Sequence, residues 1–190
     1  TGASSGFGAR FADVLSDAGA HVVLTGRRVE RLTALRDKIV ARGGRASAFA
    51  LDVTNVAGIR ACVSAAEAAA GPISILVNNA GLNVQSSAGT LSERDYDTIM
   101  NTNVKGAFFV AQTVSNRMVE QKIQGRIVNV ASIGAFKALP GLVTYSMSKA
   151  SVAMMTKGLA RECAKHHIAV NALCPGFIET ELNDEWFRSE

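Results

Sequence analysis

Tyr145 and Lys149 bracket the run Tyr145-Ser146-Met147-Ser148-Lys149, a spacing that puts both side chains on one face of a helix, one turn apart. An ammonium beside a phenol favours the phenolate, because a nearby opposite charge lowers the phenol's pKa. A phenol titrating closer to neutrality can give a proton to a carbonyl oxygen or take one from an alcohol. Ser132 comes just after the apolar run Ile127-Val128-Asn129-Val130, at the exit of an expected strand, where its hydroxyl could reach the same substrate oxygen. Taken alone, the Tyr/Lys spacing reads better as an ordinary exposed helix pair. The other elements of the chain decide between the two.

The chain opens with Thr1-Gly2-Ala3-Ser4-Ser5-Gly6-Phe7-Gly8, and Phe11, Val14, Leu15 and Ala18 follow at the spacing of an amphipathic helix. A glycine-rich turn that opens a helix suits a phosphate. Gly2 permits a sharp turn, Gly6 lets a pyrophosphate approach the backbone, and Gly8 lets the helix pack closely on a sheet. Free N–H groups and the positive end of the helix dipole then face the anion, with Ser4, Ser5 and Phe7 alongside. A flexible loop is the plain alternative.

Strands and helices alternate from there on. Strands are expected at His21 to Thr25, Ala46 to Leu51, Ile73 to Val77, Arg126 to Val130 and Ile168 to Leu173. Helix faces are marked by Val29, Leu32, Leu35 and Ile39, and again by Ile59, Val63, Ala66 and Ala70. A long helical region carries Val104, Phe108, Ala111, Val114 and Met118, and a last helix runs from Tyr145 to His166. This alternation predicts one α/β domain over 1–190: a Rossmann-type, doubly wound parallel sheet with helices on both faces. Ligands of such sheets sit beyond the carboxyl ends of the strands. Candidate residues fall there repeatedly: Gly26-Arg27-Arg28, Asp52-Val53, Asn78-Asn79-Ala80-Gly81, Ser132, and Pro175-Gly176 with Thr180. One such cluster is turn chemistry; five on one edge are a site.

Composition narrows the function classes. The 190 residues are 48% hydrophobic and 19% charged, which is ordinary globular composition. A net charge of +4 comes from scattered basic residues, with no dense Lys/Arg block to track a nucleic-acid backbone. Cys62, Cys163 and Cys174 have no framework spacing and are expected as reduced thiols of a cytoplasmic protein. No apolar run reaches membrane-spanning length. His21, His166 and His167 form no metal set, so no metal site is expected.

In order, the turn at Thr1 to Gly8, Asp52-Val53, Asn78 to Gly81, Asn103-Val104-Lys105-Gly106, Ser132, Tyr145 to Lys149 and Pro175-Gly176 span the chain. With these motifs the sequence resembles the single-domain short-chain dehydrogenases/reductases. The resemblance implies an NAD(P)(H)-dependent oxidoreductase acting on a carbonyl or secondary alcohol. It makes Tyr145 the general acid/base, with Lys149 holding the nicotinamide ribose and depressing the tyrosine pKa. It makes Ser132 the group that polarises the carbonyl, and Asn103 the holder of a water in the proton relay. Asp52 and Val53 are implied at the adenine, Asn79, Ala80 and Gly81 beside its ribose, and Ile178 and Thr180 at the carboxamide. Relatives pair two helices about a two-fold axis, so a homodimer or homotetramer is expected. They also begin with a strand before Thr1 and continue past Glu190 through a substrate lid that Trp186 and Phe187 begin. The chain is therefore expected to be cut at both ends.

Cofactor choice turns on Gly26-Arg27-Arg28. An acid at the end of this strand would bind a ribose 2′-hydroxyl; glycine stands there instead. A following arginine can hold a 2′-phosphate, so NADP(H) is favoured through Arg27, with Arg28 competing and NAD(H) left open. Ile123 and His166, where carrier-protein-dependent relatives often have basic residues, count against that substrate class. The competing function is a cofactor-sensing regulator on the same scaffold; the intact Ser132, Tyr145 and Lys149 favour an enzyme.

Overall fold

The structure, a computed structural model, describes residues 1–178. Thr180, Trp186 and Phe187 lie outside them. In chain order the elements are α1 (Gly6–Asp17), β1 (His21–Gly26), α2 (Val29–Ala41), β2 (Arg45–Ala50), α3 (Val56–Ala70) and β3 (Ile75–Asn78). There follow α4 (Glu93–Met100), a π-helical turn (Asn101–Gly106), α5 (Ala107–Glu120), β4 (Arg126–Val130), α6 (Val143–Cys163) and β5 (Ala169–Leu173). All strand pairs are parallel, as the strand-helix alternation requires.

Strand residues alternate between two faces. On β2, Ala46 and Ala48 pack into a core with Leu24, Leu32 and Ile39 under α1 and α2, while Phe49 turns to the opposite core. That larger core joins α3, α5 and the end of α6 through Ile59, Val63, Val110, Val114, Met118, Ile127 and Cys163. The fold is the expected α/β class, with helices on both faces.

Three details differ from the expectation. The strands form two sheets, β1-β2 and β3-β4-β5. Between them lies an apolar slot of about 320 Å³, walled by Val22, Leu24, Leu76, Val110 and Val114. Backbone bonds at Thr1 and Ala3 tie the two sheets: the Thr1 amine donates to the Val77 oxygen at 2.7 Å and Ala3 N–H to the Thr25 oxygen at 3.0 Å. Second, Val14 is exposed, and α1 presents Gly8, Ala12 and Ser16 inward. Small residues let that helix come close: a Cβ on Gly8 would lie 2.2 Å from the Gly2 oxygen. Third, the long helical region is not continuous. It breaks into α4 and α5 around the π turn, where Gly106 passes so near β2's exit that a Cβ would meet the Val53 oxygen at 2.9 Å. Extra residues in a helical turn of this kind often mark functional sites.

Candidate active site

A cavity of about 480 Å³ opens beyond the carboxyl ends of the strands. Gly2, Ser4, Ser5, Gly6, Phe7, Arg27, Arg28, Asp52, Val53, Asn79, Ala80, Gly81, Ser132, Tyr145, Lys149, Pro175, Gly176 and Ile178 all line it. Two candidates do not. Gly8 is buried against Gly2 and Asn79, acting through helix packing, and Asn103 lies behind the wall. Thr25, Leu82, Thr102 and Val130 line it as well and carried no sequence signal beyond their places next to motifs.

The glycine-rich turn is held from behind. Thr1 Oγ1 accepts from the N–H groups of Asn79 and Ala80, both at 3.0 Å, and Asn79 Nδ2 donates back to the Thr1 oxygen at 3.1 Å. Gly2 has φ +66°, and a Cβ there would lie 2.9 Å from Ala80 Cα, so only glycine lets these two segments meet. The first turn of α1 then faces the cavity. Above it, Arg28 Nε donates to Ser4 Oγ at 3.1 Å and Nη2 donates to Ser5 Oγ. It is Arg28 that clasps the turn. Arg27 lies on the cavity wall near Asp52, whose carboxyl is held below its ordinary value by bonds from Thr54 and, to a smaller extent, by Arg27.

At the other end, β4 runs out at Val130 and delivers Ser132, whose Oγ accepts from Gly134 N–H at 3.1 Å. Tyr145, in the first turn of α6, lines the same cavity as Ser132, whose hydroxyl favours the ionised phenol. Lys149 is 5% exposed, with Nζ 5.7 Å from the Tyr145 ring centre and donating to the Val130 oxygen at 2.8 Å. Here the electrostatics depart from the sequence reading. Burial pushes the Tyr145 phenol above its ordinary value, and the Ser132 hydroxyl opposes this only in part. Burial likewise pulls the Lys149 amine down to about 8. Desolvation outweighs charge pairing, because burial strips water from both groups.

Asn103 is 1% exposed, and its side chain is committed inside the protein. Oδ1 accepts from Leu82 N–H at 2.9 Å, while Nδ2 donates to the Leu82 oxygen at 2.8 Å and to Ser148 Oγ at 3.0 Å. Both Nδ2 hydrogens are used, so the side chain has no donor left for a relay water.

Glycine turn, strand-end serine and Tyr/Lys helix thus share one cavity, and comparison with known proteins agrees. A family model described as short chain dehydrogenase matches residues 1–190. The chain belongs to the short-chain dehydrogenase family. It is 38% identical, over its whole length and 74% of the relative's, to a gluconate 5-dehydrogenase of Gluconobacter oxydans. A gluconate 5-dehydrogenase from Burkholderia cenocepacia, solved with NADP and tartrate, superposes with a TM-score of 0.93 at 35% identity, covering 97% of this chain and 72% of that one. A short-chain dehydrogenase/reductase from Burkholderia phymatum, solved with NAD, gives 0.93 at 29% identity, covering 96% and 66%. As a short-chain dehydrogenase, the protein is an oxidoreductase acting between CH–OH and C=O groups. Among the described residues no helix is long and apolar enough to cross a membrane, and no cluster of His, Cys, Asp and Glu could hold a metal.

Proposed function

We propose that this short-chain dehydrogenase is a single-domain, NADP(H)-preferring enzyme that interconverts a ketone and a secondary alcohol, with Tyr145 as the general acid/base. The observation that carries it is that Ser132, Tyr145 and Lys149 line the same cavity as the glycine-rich turn. Two hydroxyls on one cavity wall can both reach a third oxygen, the substrate's, between them. The residues fit a dinucleotide: a helix N-terminus for the pyrophosphate, Asp52 and Val53 toward the adenine, and Lys149 toward the ribose beside Tyr145. When bound, the nicotinamide supplies or accepts the hydride.

The chain's own residues do the rest. Ser132 orients the substrate oxygen and donates to it as negative charge develops there. Tyr145, kept protonated at neutral pH by burial, passes its proton to that oxygen during reduction and recovers it during oxidation. Lys149 spans Val130 and the cofactor ribose, fixing the distance between β4 and α6. Asn103 acts from behind, its side-chain amide holding Leu82 and Ser148.

For the cofactor, Arg28 with Ser4 and Ser5 forms a cluster of donors beside Gly26, where an acid would have repelled a 2′-phosphate. This supports NADP(H), through Arg28 ahead of Arg27. The catalytic assignment is tested by Tyr145→Phe, assayed for nicotinamide absorbance with gluconate, 5-ketogluconate and a panel of simple ketones. Turnover falls by at least about a hundredfold, the lower end of what one general acid/base contributes, while NADPH still binds. A variant as fast as wild type removes Tyr145 from the mechanism.

A further inference from the structure

Ser148 lies inside the motif that carries the chemistry and has no role in it so far. It is wholly buried. Its Oγ donates to the Tyr145 main-chain oxygen at 2.6 Å and accepts from Asn103 Nδ2 at 3.0 Å. Asn103 in turn grips both backbone groups of Leu82. Leu82 follows Gly81, which passes so close to the catalytic helix that a Cβ would lie 3.4 Å from Lys149 Nζ. One hydroxyl therefore ties together the loop after β3, the π turn and the first turn of α6.

A serine within a helix commonly bonds back to a carbonyl of its own helix, and this accounts for the contact with Tyr145. It does not account for the bond from Asn103, which belongs to another element. The start of α6 also lacks the usual local fastening. Leu142 stands at its N-cap, with no side-chain hydrogen bond to the free N–H groups of the first turn. Tyr145 sits in that first turn. Its placement must come from elsewhere. Thr156 makes a comparable link, from Asn129, but farther along α6.

We propose that Ser148 is a positioning residue: by locking the first turn of α6 to Asn103, it holds the Tyr145 hydroxyl on the cavity wall it shares with Ser132. This rests on the reading of Tyr145 and Ser132 as partners at one substrate oxygen. Loss of the lock lets the turn shift, and a displacement of about 1 Å at a reacting group is enough to cost on the order of a hundredfold in rate.

The test needs no substrate, because the chain has only two tyrosines, Tyr96 and Tyr145. Phenolate absorbance after a rapid pH jump, with the Tyr145→Phe signal subtracted, gives the Tyr145 midpoint in the full chain. Ser132 lowers that midpoint, and the neighbouring Lys149 is unchanged in every variant. Ser132→Ala and Ser148→Ala each raise it by about 0.5–1 pH unit, the shift expected for one neutral hydrogen bond. The double variant shifts no further than Ser132→Ala alone, because both changes break the same contact. NADPH titration by fluorescence confirms that each variant is folded. Ser148→Cys, which keeps the volume and weakens the donor, takes the place of Ser148→Ala if the latter does not fold. A Ser148 variant with the wild-type midpoint, beside a shifted Ser132→Ala, overturns the inference alone. Shifts that add in the double variant also overturn it. An unshifted Ser132→Ala overturns the underlying Ser132–Tyr145 pairing, and the inference with it.

Discussion

Replacing Arg28 by alanine removes the guanidinium that bonds Ser4 and Ser5 over the glycine-rich turn. If that group holds a 2′-phosphate, the loss falls on NADPH and not on NADH. A hydrogen bond to a charged partner contributes about 1.5–3 kcal/mol, and Arg28 is exposed, so solvent screening selects the lower end. At about 1.4 kcal/mol for each factor of ten, NADPH should bind roughly ten- to thirtyfold more weakly, and NADH within about twofold of wild type. The fold should not suffer, since the bonds lost to Ser4 and Ser5 are exposed ones. Dissociation constants from nicotinamide fluorescence, at low and high salt, measure this directly. The NADPH advantage should shrink as salt rises, because the pair lies in reach of counter-ions. Arg27→Ala serves as the comparison and should have the smaller effect. Gly26→Asp should reverse the preference; a Cβ there meets Ser4 Oγ at an ordinary 3.7 Å, so the new carboxylate fits beside the phosphate pocket. Equal binding of both cofactors by wild type, or equal weakening of both in Arg28→Ala, would refute the reasoning.

Two further outcomes follow from burial. Lys149 has a folded pKa near 8 against an ordinary 10.5, so the unfolded chain binds more protons between those values and stability rises with pH across that window. Lys149→Met should therefore raise the melting temperature of the cofactor-free protein at pH 7, and calorimetry at pH 10 should find that gain much reduced; an equal gain at both pH values contradicts the burial cost. On α6, Met147, Ala150 and Met154 form an exposed stripe, with Met154 64% exposed, and Phe108 is exposed on α5. A second copy is the expected cover, so Met154→Glu should lower the sedimentation coefficient to that of a monomer, and a wild-type protein that is already monomeric would end the proposal.

Much of this was legible in residue spacing. Strand ends were readable because Gly, Asn, Asp and Ser interrupt apolar runs there, and the cavity gathers those interruptions. Periodicity failed where a single insertion changed the phase. Ile99, Val110 and Val114 all face the core, yet the π turn stands between the first and the others, and the pattern shows only apolar residues at plausible intervals. On α6, Ala150 and Met154 are exposed while Ala153, between them in sequence and equally apolar, is buried. Which of two adjacent arginines reaches the turn was not readable either. It depends on Arg28 being the residue that flanks the start of α2, a matter of backbone direction. Ser148 was silent because its partner Asn103 is distant in sequence.

The sign of the Tyr145 shift shows most clearly what spacing cannot convey. A lysine one helical turn from a tyrosine suggests a lowered phenol pKa only if both groups stay hydrated or touch. Here neither holds. Lys149 donates a hydrogen bond to the Val130 oxygen, and both side chains lose water to the protein around them. Desolvation disfavours whichever form is charged, so it raises the phenol and lowers the amine, moving both toward neutrality. The site on its own thus favours the protonated phenol of Tyr145, on the cavity wall it shares with Ser132. Charge pairing does not set that state. Burial does, and the sequence records burial only through the fold.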